Sequence, residues 1–233
     1  MKIALLGYGK MGKVIEKIAL ERGHEIILRK TSSNTYDGLE NADVAIDFSI
    51  PDVAVENIST CINKRIPVVS GTTGWLEKYQ EMVQLCKAKN AAFLYGSNFS
   101  LGVNLFFELN DYLAKMMAKF NNYNVSMEEI HHTQKLDKPS GTAITLANSI
   151  INHTAKNNWA IENQKQDDVF IDVKRIENVP GTHSVFYNSE VDLIEIKHVA
   201  HNREGFALGS VIAAEWIVGK KGVFSMKDVL NLQ

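Results

Sequence analysis

Positions 128 to 143 read Glu-Glu-Ile-His-His-Thr-Gln-Lys-Leu-Asp-Lys-Pro-Ser-Gly-Thr-Ala. This short stretch gathers two imidazoles, an ammonium group and a hydroxyl-bearing turn. His131 and His132 are of the type that titrates near neutrality and can pass protons, and Lys135 is a compact cation. Asp137, Pro139 and Gly141 interrupt any continuous helix through the segment. Ala143, Ile144, Ala147, Ile150 and Ile151 then fall on one helical face, which puts Ser140 and Gly141 near that helix's start, where backbone N–H groups hold anions. The chemistry is that of a pocket for a small, multiply anionic substrate that must also receive a proton. Neighbouring histidines alone are more often structural than catalytic; here the density of polar groups has no obvious packing purpose. No metal is expected, because adjacent strand residues point to opposite faces and His131 and His132 would rarely chelate one ion.

Something must deliver a reactant to that segment, and the N-terminus supplies a candidate. Lys2 to Leu6 reads as a buried strand, followed by Gly7-Tyr8-Gly9-Lys10-Met11-Gly12 and then by apolar positions Met11, Val14, Ile15, Ile18 and Ala19 at helical spacing. Strand, Gly-x-Gly-x-x-Gly turn and helix together point to dinucleotide binding: Gly7 for the tight turn, Gly9 for approach of a pyrophosphate, Gly12 for close packing. A second strand from Glu25 to Leu28 should end in an acid if NAD ribose is read there. Arg29 and Lys30 stand in that place instead, and a basic pair suits the 2'-phosphate of NADP, unless both side chains simply point into water. NADPH is therefore expected to serve at least as well as NADH.

The pattern repeats. Strands at Asp43–Phe48, Pro67–Ser70 and Ala92–Tyr95 run into loops of small residues, with Pro51 opening one helix and a further helix over 76–89. The loops Gly71-Thr72-Thr73-Gly74 and Gly96-Ser97-Asn98-Phe99 are placed as ligand-facing strand ends of a parallel α/β sheet. A long amphipathic helix is expected over 101–120, a helix end and loop over 152–168, and strands over 170–176, 184–187 and 191–198 with turns at Pro180-Gly181 and Asn188-Ser189. Joined to the strand before His131, these make a mixed or antiparallel sheet. The fold class is thus α/β: an N-terminal Rossmann-like domain over 1–101, completed by 207–233, and a smaller α+β domain over 102–206 for substrate and oligomerisation.

Composition sets the outer limits. The 233 residues are 45% hydrophobic and 22% charged with a formal charge of −2, which speaks against a general nucleic-acid binder. Cys61 and Cys86 stand apart from any Cys-x-x-Cys spacing, as in a reducing compartment. No signal-peptide layout or membrane-length apolar run is read, so a cytoplasmic protein without membrane contact is expected.

The His-His-x-x-Lys-x-Asp-x-Pro-Ser-Gly-Thr-Ala stretch resembles the signature of the 4-hydroxy-tetrahydrodipicolinate reductase family, also called dihydrodipicolinate reductases. The resemblance extends to the Gly-rich first loop, the Gly-Thr-Thr-Gly loop and the Asn-Phe-Ser loop. It implies reduction of a cyclic dicarboxylate by NADPH or NADH in lysine and diaminopimelate biosynthesis, by a homotetramer built on the second domain's sheet. By the same resemblance His131 and Lys135 are catalytic, and His132, Ser140, Gly141 and Thr142 bind substrate. Gly7, Gly9, Lys10, Met11, Gly12, Gly71, Thr72, Thr73, Gly96, Ser97, Asn98 and Phe99 would contact the cofactor, with Arg29 and Lys30 beside it. Two departures stand out: a shorter first loop and the Arg29-Lys30 pair. Another two-domain nicotinamide dehydrogenase, or a silent dinucleotide sensor, remain as alternatives at this stage, since a fold does not choose a substrate.

Overall fold

The computed structural model describes residues 1–202 and 204–232; Arg203 and Gln233 lie outside the described residues. The chain divides into two compact units, Met1–Leu101 with Glu204–Gln233, and Gly102–Arg203.

The first unit is built on a six-stranded parallel sheet of order β11-β5-β4-β3-β1-β2. Its strands are β1 (Lys2–Leu6), β2 (Glu25–Lys30), β3 (Val44–Asp47), β4 (Val68–Ser70), β5 (Ala92–Tyr95) and β11 (Gly222–Phe224). Strands such as Val44-Ala45-Ile46-Asp47, buried at every position, are apolar runs because helices cover both faces. Helices α1 (Lys10–Glu21) and α6 (Glu204–Ile217) share one apolar layer with Ile3, Leu5, Ile46 and Leu94. Helices α2 (Pro51–Asn63) and α3 (Tyr79–Lys89) share the other with Leu6, Ala45 and Phe93. Each fully buried Leu, Ile or Phe contributes about 1.5–3 kcal/mol, so the two layers hold the strand ends rigidly. The short α7 (Met226–Leu230) closes the unit with a Ser225–Asp228 capping box.

The second unit is a five-stranded mixed sheet of order β10-β9-β6-β8-β7. Strand β6 (Asn124–His131) runs antiparallel to β9 (Gly181–Asn188) and parallel to β8 (Asp168–Arg175), while β10 (Leu193–Ala200) is one edge and β7 (Asn158–Ala160) the other. Helices α4 (Leu101–Met117) and α5 (Gly141–His153) supply Phe106, Leu113, Leu146 and Ile150 to a core shared with Met127, Ile171 and Val185.

Several local expectations are corrected. Residues 152–168 contain β7, a strand too short to show alternation, whose Trp159 packs against the second unit's core. The 76–89 helix opens as a 3-10 turn over Leu76–Lys78. The helix expected to reach 120 stops at Met117, β2 runs on to Lys30, and Gly181 begins a strand rather than a turn.

Candidate functional site

Strand β6 places the histidine segment. Val125, Met127, Glu129 and His131 are all buried, the period-two phase of a strand with one face on the core. The register sets Glu129 opposite His183 on β9 and His131 opposite Arg175 on β8. The apolar phase of the strand therefore ends in a buried acid and an imidazole, with a guanidinium and a second imidazole beside them.

Glu129 is fully buried and each carboxylate oxygen is engaged. Oε1 accepts from Arg175 Nη1 at 3.0 Å, and Oε2 accepts from the Ser140 backbone N–H at 2.8 Å. Arg175 also donates through Nε to the Lys135 carbonyl (3.3 Å) and through Nη2 to the Asp137 carbonyl (2.6 Å). Ser140 caps α5, its Oγ accepting from Ala143 N at 3.2 Å and lying 3.1 Å from His183 Nε2. The other first-turn N–H groups of α5 belong to Gly141 and Thr142 and point out of the helix end. Lys135 pairs with Asp137 at 2.9 Å and is only 23% exposed in its side chain.

The imidazoles are neutral in this setting. Burial drives His131 down to about 4; the Glu129 carboxylate opposes that, and Lys135 and Arg175 add to it. Burial drives His183 down to about 3, with His131, His198 and Lys135 acting in the same direction. The two rings meet edge to face at 5.0 Å. His131 Nδ1 is buried without a hydrogen-bond partner among the described residues, and a Cβ on Gly181 would stand 3.2 Å from its Nε2, so glycine there keeps that edge clear.

Glu129, His131 and His183 each present a ligand atom within 4.8 Å of the others. The set does not suit a cation, because both Glu129 oxygens are occupied and Arg175 and Lys135 already supply positive charge. His132 stands apart: half-buried, it lines a cavity of about 290 Å³ with Thr133, Gln134, Asn178 and Pro180, and neither His131 nor Lys135 is among its walls.

In the first unit a cavity of about 380 Å³ opens where the strand order reverses, between the ends of β1 and β3. Gly7, Tyr8, Gly9, Lys30, Tyr36 and Ser49 are among its walls. Gly7 has φ of +98° and a Cβ there would fall 2.4 Å from the Phe48 carbonyl oxygen, so the turn admits only glycine. A Cβ on Gly12 would meet the Gly7 carbonyl oxygen at the same distance. Gly9 caps α1 without a side-chain bond, and no acidic residue occupies the first turn, so the N–H groups of Lys10, Met11 and Gly12 face no competing carboxylate.

The other nominated residues divide. Thr73 and Ser97 are exposed, whereas Thr72 is buried with Oγ1 accepting from Ser49 N at 2.9 Å. Gly71 is needed because a Cβ would strike the Phe48 ring at 2.3 Å, and Gly96 packs against Phe99, itself a core side chain 5.6 Å from the Phe48 ring. Asn98 Oδ1 accepts from Ser100 N. Arg29 and Lys30 separate as well. The Arg29 guanidinium is bound by Glu16, which also accepts from Tyr8, and Arg29 does not line the cavity. Lys30 does line it, 5.0 Å from the Tyr36 ring centroid with Nζ on the Thr31 carbonyl.

Sequence reasoning missed the floor beneath this cavity. Asp47 is fully buried and accepts from Ser49 Oγ (2.6 Å), Asn57 Nδ2 (2.9 Å) and Ser70 Oγ (2.8 Å), while Asn57 Oδ1 accepts from Tyr36 (2.7 Å). Burial pushes the Asp47 carboxyl up, and these donors pull it back. It also missed Glu129, Arg175 and His183. The legible signal was Glu129 itself, an acid in the apolar phase of β6.

Residues 1–99 match the family model described as dihydrodipicolinate reductase, N-terminus, and residues 102–230 match its C-terminus counterpart. The chain belongs to the dihydrodipicolinate reductase family. It is 53% identical to the 4-hydroxy-tetrahydrodipicolinate reductase of Christiangramia forsetii over 99% of this chain and 98% of that one. It is 35% identical to the Thermosipho africanus protein of the same name, again over 99% and 98%. Among solved structures, the dipicolinate-bound dihydrodipicolinate reductase from Paenisporosarcina sp. TG-14 superposes with a TM-score of 0.78 at 22% identity, covering 100% of this chain and 99% of that one. An engineered D-amino acid dehydrogenase bound to NADP+ gives 0.55 at 14% identity, covering 100% and 96%. At these identities the two structures speak for the fold alone. The first-unit cavity fits the dinucleotide that such a fold implies: it lies at a strand-order switch, with an uncapped helix N-terminus and glycine at the close approach.

Proposed function

We propose that Lys135 and His131 handle the proton, and the N-terminus of α5 a carboxylate, in the reaction of this reductase. The reaction is the NAD(P)H-dependent reduction of 4-hydroxy-tetrahydrodipicolinate to tetrahydrodipicolinate in lysine and diaminopimelate biosynthesis. The observation that carries the residue assignment is the tie between Lys135 and the α5 N-terminus, bridged through Arg175 and Glu129 within one buried network.

When bound, the reduced nicotinamide supplies a hydride. This chain's own residues do the rest. Ser140, Gly141 and Thr142 present a helix start to one ring carboxylate, and His132 is assigned to hold substrate from its neighbouring cavity. The Lys135 ammonium stabilises negative charge as it develops on the ring. His131 is held neutral by burial and by the cations beside it, so it does not arrive as an acid. Two incoming carboxylates oppose those cations and raise its affinity for a proton, which lets it relay one to the reduced ring. In the first unit, Lys30 with Thr31 and Ser32 forms the rim assigned to the ribose and its 2'-phosphate, while Gly9, Lys10, Met11 and Gly12 present N–H groups to the pyrophosphate.

Assembly and location complete the reading. Among the described residues no helix is long and apolar enough to cross a membrane. Leu193 and Val199 on the edge strand β10, and Leu105, Leu109, Tyr112 and Met116 along α4, remain exposed in the single chain, which supports a homotetramer formed through the second unit. The enzyme is assigned to the cytoplasm.

The test is direct. NADPH absorbance should fall when the protein meets freshly generated hydroxy-tetrahydrodipicolinate. Lys135→Ala or His131→Ala should slow turnover by about a hundredfold to ten-thousandfold with NADPH affinity retained. Full activity in either variant overturns its assignment.

A further inference from the structure

The scheme above gives neither Glu129 nor Arg175 a contact with the substrate, yet their side chains are 0% and 11% exposed and meet at 3.0 Å. A buried ion pair is a weak source of net stability, because desolvation offsets most of the attraction. The hydrogen bonds show what else this pair does. The Arg175 guanidinium holds two carbonyls of the 132–140 loop, those of Lys135 and Asp137, on either side of Leu136. Leu136 is 93% exposed, so its side chain does not anchor that stretch. At the far end of the loop, the second oxygen of Glu129 holds the backbone N–H of Ser140, the residue that caps α5. A third tie fixes the guanidinium to its own strand, through Nη1 to the Lys174 carbonyl at 2.9 Å.

We propose that Glu129 and Arg175 are positioning residues that clamp the middle and the far end of the 132–140 loop and so set the Lys135 ammonium against the N-terminus of α5. The inference rests on the assignment of those two features to the substrate. Neither clamp residue touches the reacting ring; each acts through the main chain. The geometry demands a guanidinium. The acceptors lie in different directions around one plane, which suits a rigid fork of donors and not the single ammonium of lysine. It also demands a carboxylate, since one oxygen must face the guanidinium while the other accepts from an N–H.

The experiment compares Arg175→Lys, Glu129→Gln and Arg175→Ala with Lys135→Ala in the full-length protein. For the clamp variants kcat should fall by about tenfold to a hundredfold, the cost of a displaced catalytic group. Affinity for pyridine-2,6-dicarboxylate should weaken alongside, with NADPH affinity unchanged. In Arg175→Ala, added guanidinium ion should restore part of kcat and methylammonium should not, a discrimination that general loosening of the fold would not produce. If Arg175→Ala does not fold, the two conservative variants decide the matter through the same kcat and dicarboxylate measurements. The clamp is overturned if Glu129→Gln and Arg175→Lys keep the parent kcat and dicarboxylate affinity, or if NADPH affinity falls in step with kcat. Failure of the underlying assignment looks different: Lys135→Ala would then be fully active, whatever the clamp variants do.

Discussion

Acidification should destabilise this protein through His183, and the structure sets the size of the effect. The ring is 4% exposed, lies beside the Ser140 hydroxyl and faces His131 edge on, with Lys135 adding positive potential. Burial holds its affinity for a proton down at about 3, against about 6.5 for an unfolded histidine. The folded value is the lower one, so between those two values the unfolded chain binds the extra proton and stability falls as pH falls. The stabilising contribution is complete above the unfolded value and is lost on acidification towards the folded one. From neutrality to pH 5 the unfolded imidazole gains its proton over about 1.5 pH units at about 1.4 kcal/mol each, a loss of about 2 kcal/mol from His183 alone. His131 acts in the same direction. For a domain stable by about 5–15 kcal/mol this is a visible fraction. Urea unfolding followed by circular dichroism at pH 8, 7, 6 and 5 gives the wild-type slope, and His183→Gln removes one titrating group while keeping a polar side chain. The variant's stability should fall less steeply with acid. Parallel curves for the two proteins would refute the claim that His183 is buried neutral.

Two further outcomes follow from the first unit. Lys30→Ala should raise KM for NADPH by about tenfold or more, the loss of one charge-assisted hydrogen bond, and leave KM for NADH nearly unchanged, whereas Arg29→Ala should change both little because Glu16 already holds its guanidinium; equal effects of the two substitutions would contradict the separation of the pair. Asp47→Ala leaves the Ser49, Asn57 and Ser70 donors without their acceptor, which should cost about 3 kcal/mol or more and lower Tm by about 6–12 °C, with weaker NADPH binding because Ser49 and Asn57 line the cavity; an unchanged Tm in differential scanning calorimetry would count against a structural carboxylate there.

What the sequence disclosed was chemistry carried by neighbours along the chain. The Gly7-to-Gly12 turn between a buried strand and an amphipathic helix is local, and the structure shows the φ of +98° at Gly7 that such a turn requires. The parallel α/β sheet followed from strands repeatedly handing over to helices, and Ser140 at the start of α5 from the spacing of the apolar residues behind it. Strand β7 was hidden because three residues are too few to display a period, and its placement depends on pairing with β8. The Arg29-Lys30 pair shows a second limit. Composition gave two cations at one strand end, but adjacent strand residues point to opposite sides, and Glu16 on α1 claims one of them.

Glu129 marks the boundary between the legible and the illegible. Its position in the buried phase of β6, after Val125 and Met127, was visible in the sequence. An acid in that phase is too costly to bury alone, so it announces that a cation and further donors must be buried with it. Which of the 25 lysines and arginines answers is not written locally. It is settled when β8 pairs with β6 in the one register that sets His131 against Arg175, and when β9 sets His183 against Glu129. A slip of one residue would turn Arg175 to the other face and leave the carboxylate unpaired. The network that holds the Lys135 loop is therefore a consequence of strand register, and the same burial that makes the pair costly penalises the wrong registers.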